Sequence, residues 1–369
     1  MKITTLSRRE YLGSILALAL SGCEGYDAED DTPPAVPPLK GLASLPIGCA
    51  MVSGKLEKPA TSALLLKNFS QLTAEAEMKM AAIVAPDGRL RFNGADAIMA
   101  YAQQNKLRVH GHALVWHKHE PEAFLRLDGN KPAFTAMYDN YIRTVMGRYR
   151  GKIPSWDVVN EPVNGDGLGL RATMWGRNFG DLGYIERAFR IARETDPSAK
   201  LFINEYDLEL KPEKRLAFMQ MMEALLKKGT PIDGIGTQSH INIDMPKGAA
   251  KAAFRDLASF GLPIHVSELD ISFGSRRFDW RSVKTKRALQ AEQMTDFITA
   301  FMALPEKQRY AITIWGLYDS ESFWRINPED PHPDDEPLLF DAAGRAKPVT
   351  VAFARALGGI KSMKPANVG

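Results

Sequence analysis

Cysteine is almost absent: two occur among 369 residues, Cys23 and Cys49. A scaffold stapled by several disulfides is thereby excluded, and stability has to come from a packed core. No apolar run reaches the eighteen or so residues that suggest a membrane-spanning helix. Charge of one sign is not in excess, because 47 Lys and Arg against 44 Asp and Glu give a net +3. No basic stripe interleaved with aromatics is present, so nucleic acid is not an expected partner. Short internal repeats are missing as well. The remainder, 45% hydrophobic and 25% charged, suits a globular chain with one large domain.

The first forty residues read differently from the rest. A basic stretch ending in Ser7, Arg8 and Arg9 precedes an apolar run from Tyr11 to Leu20, the pattern of an export signal. Its Ser-Arg-Arg-Glu-Tyr-Leu order resembles a twin-arginine signal, and Leu20-Ser21-Gly22-Cys23 resembles a bacterial lipobox. Residues 24–40 hold five acidic side chains and four prolines, too few apolar groups to offset the entropy of ordering. The expected division is a signal peptide over 1–22, a lipidated Cys23 with an acidic Pro-rich tether over 23–40, and a folded domain over 41–369. The expected location is a bacterial membrane, periplasmic or cell-surface, through the lipid on Cys23. A monomer is expected.

From residue 41, short apolar, β-branched runs alternate with amphipathic stretches of helical period. Eight strand-then-helix units can be counted, with strands near 44–51, 71–75, 107–116, 154–161, 200–207, 233–240, 262–270 and 310–316. Eight such units suggest closure into an α/β, (β/α)8 TIM barrel, which leaves no exposed sheet edge. The longest irregular segment, 317–346, follows the last strand and contains an acidic, Pro-rich loop.

Reactive groups in such a barrel gather at the carboxyl ends of the strands. Those ends carry Glu75, His112 with Trp116 and His117, Asn160 with Glu161, Tyr206, Gln238 with His240, Glu268 with Asp270, and Trp315. Glu161 and Glu268 stand out because each closes an apolar strand, where burying a carboxylate is costly without partners or function. Two carboxyls facing each other across a barrel mouth form the constellation of glycoside hydrolysis.

At these residues the chain resembles the glycoside hydrolase family 10 β-1,4-xylanases. TAEAEMK (73–79), HGHALVWH (110–117), WDVVNEP (156–162), LFINEYDLE (201–209), GIGTQSHI (234–241), PIHVSELDI (263–271), ITIWGLYDSESFW (312–324) and PLLFD (337–341) match in order. The resemblance implies retaining hydrolysis of internal β-1,4-xylosidic linkages in xylan or xylo-oligosaccharides, with no cofactor and no metal. Glu161 would be the acid/base and Glu268 the nucleophile. His240 would bond Glu268 and be oriented by Asp270, while Asn160 and Gln238 would hold the 2-hydroxyl of the reacting sugar. Glu75, Lys79, His112, Trp116, Trp315 and Trp324 would form the non-reducing-side sugar site, and Tyr206 would join the substrate-binding set.

Several positions depart from the family pattern. Ala76 replaces an asparagine that bonds an outer sugar, and His119 replaces a glutamine that helps to disfavour hexoses. His110, Asp207 and Ser267 stand for a usual arginine, asparagine and threonine, and one extra residue falls near Phe323. These departures leave room for a retaining β-glycosidase acting on short oligosaccharides, aryl glycosides or a hexose-containing glycan. Two readings from other classes compete: a zinc hydrolase using His110 and His112, and a non-catalytic carbohydrate-binding lipoprotein. The acidic loop offers Glu329, Asp330, Asp334, Asp335 and Glu336 as a calcium candidate, against the plainer reading of a solvated loop.

Overall fold

Eight runs of small and β-branched residues form the strands of a computed structural model that describes residues 35–274, 279–326 and 332–358. They are β1 (Ile47–Met51), β2 (Gln71–Ala74), β3 (Arg108–Val115), β4 (Ser155–Asn160), β5 (Lys200–Glu205), β6 (Gly234–Thr237), β7 (Ile264–Ser272) and β8 (Arg309–Ile314). Every neighbouring pair is parallel, and the register Ile47↔Ile312 joins β8 back to β1. The sheet therefore closes into an eight-stranded barrel. Strands buried on both faces need continuous apolar runs rather than alternation, and β1, β2, β4, β6 and β7 are buried at every position.

The crossovers are α1 (Pro59–Asn68), α2 (Asn93–Gln104), α3 (Lys131–Arg148), α4 (Gly183–Thr195), α5 (Pro212–Lys227), α6 (Ala249–Ala258), α7 (Val283–Met302) and α8 (Pro348–Ala356). Their ends follow from local chemistry. Proline sits in the first turn of α1, α3, α5 and α8, where its missing N–H costs nothing. Ser282 caps α7 by accepting the Thr285 amide at 3.2 Å. Along α4, Tyr184, Ile185, Ala188, Phe189, Ile191 and Ala192 are buried at helical spacing.

The barrel is packed through its centre by polar as well as apolar groups. His110 Nδ1 bonds Ser155 Oγ at 2.8 Å, and His265 Nε2 bonds Thr313 Oγ1 at 2.9 Å, all four residues being fully buried. Glycine leaves room for bulk at chosen places: a Cβ on Gly111 would collide with the Trp156 indole, and one on Gly234 with Phe202. Among the described residues no helix is long and apolar enough to cross a membrane.

Three expectations change. Leu39 is fully buried and Val36 packs on the core, so the folded unit takes in residues assigned to the tether. The sixth strand does not run unbroken to 240: it stops at Thr237, passes Ser239 at φ +59°, and resumes as a short strand, His240–Asn242, beside β7. Residues 317–346 are not uniformly irregular, since a 3-10 turn (Asp319–Glu321) and a helical turn (Phe323–Ile326) punctuate them. Lys347 Nζ anchors this segment, 2.7 Å from Asp319 Oδ2 and from the Glu336 carbonyl. The export signal and Cys23, like Glu329 and Asp330 of the acidic loop, lie outside the described residues.

Candidate active site

β4 ends at Asn160, and the chain then turns through Glu161 at φ +56°, in the left-handed region. Such a turn costs a non-glycine residue about 1–3 kcal/mol. Cross-strand bonds hold it: the Glu161 amide donates to the Asn204 carbonyl at 2.8 Å, and Arg171 Nε donates to the Glu161 carbonyl at 3.2 Å. Asp207 and Ser239 take the same conformation just beyond β5 and β6 (φ +60° and +59°). Three consecutive strands thus turn sharply at the barrel mouth, and Asp207 belongs to a residue type that tolerates this region.

A ladder of side-chain amides joins the two glutamates. Glu161 Oε1 accepts from Asn160 Nδ2 at 3.2 Å and from Gln238 Nε2 at 3.1 Å. Asn160 Oδ1 accepts from Gln238 Nε2 at 3.2 Å and from Asn204 Nδ2 at 2.9 Å. Asn204 Nδ2 also donates to Glu268 Oε1 at 2.8 Å. Ser267 Oγ donates to Asn204 Oδ1 at 2.7 Å, which settles the side of that amide facing Glu268. Ser267 therefore keeps a hydroxyl at the position where the resemblance anticipates threonine.

His240 lies between two acids, with Nδ1 2.8 Å from Asp270 Oδ2 and Nε2 3.4 Å from Glu268 Oε2. Burial alone would favour its neutral form, but Asp270 and Glu268 outweigh burial and hold its pKa well above the usual value. Trp324 Nε1 donates to the other Asp270 oxygen at 3.0 Å. Burial pushes the Glu268 carboxyl up; the charge of His112, the bond and charge of His240, and Lys79 more than offset this and leave it below the ordinary range. An ionised carboxylate is what a nucleophile requires. His117 Nδ1 stands 3.7 Å from Glu161 Oε2. Burial, with the charges of Arg171, Lys118 and Lys214, lowers the His117 pKa to about 3, so this ring is neutral beside Glu161.

The sugar-site candidates gather on the Glu268 side. Lys79 Nζ lies 4.7 Å from the Trp116 ring centre and 5.8 Å from that of Trp315. His112 meets Trp315 edge-on at 5.3 Å, and His240 meets Trp315 and Trp324 at 6.2 and 6.3 Å. Burial raises the Glu75 carboxyl against the pull of Lys55 and Lys79. His112 Nδ1 and His110 Nε2 both approach Asp157 Oδ2, at 2.8 and 3.0 Å, so the paired histidines are engaged by one carboxylate. Of the acidic loop, Asp335 is engaged by Ser272 Oγ and the Phe273 amide, and Glu336 by Arg287.

Tyr206 sits apart from the tryptophans, beside the Glu161 turn. Its hydroxyl accepts from Arg171 Nη2 at 2.9 Å, while Arg171 also donates to the Val163 carbonyl at 3.1 Å. Beneath lies a fully buried ion pair, Lys214 Nζ to Glu205 Oε1 at 2.8 Å. Glu205 also accepts the amides of Val163 and Tyr206 at 2.9 and 3.0 Å, and burial pushes its carboxyl up to about 7. Sequence reading passed over Asn204, Arg171, Glu205 and the proximity of His117 to Glu161. The available signal was polar residues within the apolar run of β5, where Asn204 and Glu205 end the strand.

The family model for glycosyl hydrolase family 10 matches residues 40–356. Endo-1,4-beta-xylanase C of Paenibacillus barcinonensis is 35% identical over 329 residues, covering 83% of this chain and 30% of that protein. Endo-1,4-beta-xylanase 3 of Hypocrea jecorina is 33% identical, covering 84% of this chain and 82% of that one. A solved family 10 structure from Paenibacillus barcinonensis superposes with a TM-score of 0.81 at 32% identity, covering 89% of this chain and all of that one. The chain spans 28–30% of the length of the first three curated relatives it matches.

Proposed function

The chain belongs to glycosyl hydrolase family 10, and from this we propose that it is a retaining endo-β-1,4-xylanase using Glu161 as acid/base and Glu268 as nucleophile. The observation that carries the reading is the amide ladder, in which Asn160, Gln238 and Asn204 tie the Glu161 and Glu268 carboxyls into one constellation. In the first step a Glu268 oxygen bonds to the anomeric carbon as the glycosidic C–O bond breaks. Glu161 gives its proton to the departing sugar oxygen. In the second step Glu161 takes a proton from water, whose oxygen displaces Glu268. Two inversions restore the β configuration. By the family resemblance Asn160 and Gln238 would bond the 2-hydroxyl of the reacting sugar, and indole faces at Trp116, Trp315 and Trp324 would suit flat sugar rings.

Export and anchoring through Cys23 belong to the same proposal and rest on the order of arginine pair, apolar run and lipobox in residues 7–23. A membrane-tethered monomer would keep the enzyme where polysaccharide fragments arrive. The test is to incubate the purified chain with β-1,4-xylan and with a cellulose-derived oligosaccharide, following reducing ends and product anomers. Release of β-anomeric xylo-oligosaccharides, lost in Glu268→Ala, is the expected result. Preference for the hexose chain overturns the substrate, and no turnover of either favours a binding role.

A further inference from the structure

The outer face of the sugar site carries a charge that a neutral pentose chain does not use. A small cavity of about 30 Å³ is lined by Lys79, Trp116, Lys118, His119 and Pro121 with their neighbours. Two ammonium groups lie against the Trp116 indole, Lys79 Nζ at 4.7 Å and Lys118 Nζ at 5.6 Å from its centre, and the His119 ring packs on it at 5.7 Å. The two lysines are not equivalent. Lys79 is largely buried, and burial lowers its pKa while Glu268, Glu75 and Glu161 raise it, so its charge is balanced from within the site. Lys118 is exposed and has no carboxylate partner among the described residues.

Glu120, two residues along the chain, is engaged by the Met174 amide and the charge of Arg177. A sugar stacked on Trp116 would present its substituents to this unpaired ammonium. Hydroxyls need no cation; a carboxylate gains from one.

We propose that Lys118 makes this end of the cleft a receptor for a uronate branch, a carboxylate-bearing sugar attached to the xylose that stacks on Trp116. The inference rests on the xylan reading and names a decoration which that reading leaves open. An exposed ion pair of this kind is worth up to about fivefold in kcat/KM and is weakened by salt.

The test compares three substrates: glucuronoxylan oligosaccharides, the same material with its carboxyls reduced to neutral hexoses, and unbranched xylo-oligosaccharides. The unmutated chain should favour the acidic over the reduced form by up to about fivefold at low salt. Lys118→Gln should erase that preference and Lys118→Arg should keep it, each read as the ratio of acidic to reduced substrate cut by the same protein, so that a change in its rate on unbranched chains cancels. Equal rates on acidic and reduced material by the unmutated chain, or a preference that survives in Lys118→Gln, overturns the uronate site while leaving the xylanase intact. Failure to cut any of the three substrates overturns the xylan reading, and the uronate site with it.

Discussion

Asn204 is the side chain on which both halves of the ladder depend, because its single Nδ2 donates to Glu268 and to Asn160. Bonds to a charged acceptor are worth about 1.5–3 kcal/mol. Asn204→Ala should therefore lower kcat/KM by roughly tenfold to a hundredfold, with the fold intact by circular dichroism. Unchanged kinetics would show that the ladder does not hold the nucleophile. His240 supports a prediction in pH. As the proposed nucleophile, Glu268 must be ionised to attack, and its carboxyl is held below the ordinary range by cations that outweigh its burial, so the acid limb of kcat/KM should lie below that range. His240→Asn removes a positive charge and a hydrogen bond from Glu268. The Glu268 pKa must then rise, and the acid limb should move to higher pH, as a profile on xylo-oligosaccharides would read. Movement to lower pH would contradict the assigned role. Ala76 is exposed where the family resemblance places an asparagine.

At the scale of elements, the site depends on how strands end and on what lies beside them. β4, β5 and β6 each pass into a left-handed residue, Glu161, Asp207 and Ser239, and the buried Lys214–Glu205 pair ties α5 to the turn after Glu161. Gly236 on β6 is the neighbour that gives Asn204 its space, since a Cβ there would collide with Asn204 Oδ1. Gly236→Ala should cost about 1–3 kcal/mol of stability from overpacking and should also reduce kcat/KM, although Gly236 is assigned no contact with substrate. Urea unfolding and steady-state kinetics read the two effects separately, and a stability loss without a kinetic one would uncouple β6 from the ladder. These strand ends were only partly legible beforehand. The sequence places Gln238 and His240 at the end of one strand, yet that strand stops at Thr237 and resumes at His240, because a bulge or turn is invisible to a pattern that assumes regular pleating.

At the scale of the molecule, the barrel and the amino-terminal segment make separate claims. Full-length chain expressed in a bacterium should partition with membranes, and Cys23→Ala should shift it to the soluble fraction with xylan turnover unchanged. A chain that is soluble before mutation would remove the anchor from the proposal. Within the folded unit, the eight strands lie within a few residues of their sequence-based positions. Apolar runs and helical periods are local properties, so the sequence alone determined the barrel class and the order of its elements, and WDVVNEP and SELDI carry the two glutamates proposed to react. What only the tertiary structure decided are the contacts made by closing the ring: Asn160 with Asn204 across 44 residues, Asn204 with Glu268 across 64, Gln238 with Asn160 across 78. Such pairs have no local periodic signature, because their partners are set by strand register and barrel closure rather than by neighbours along the chain.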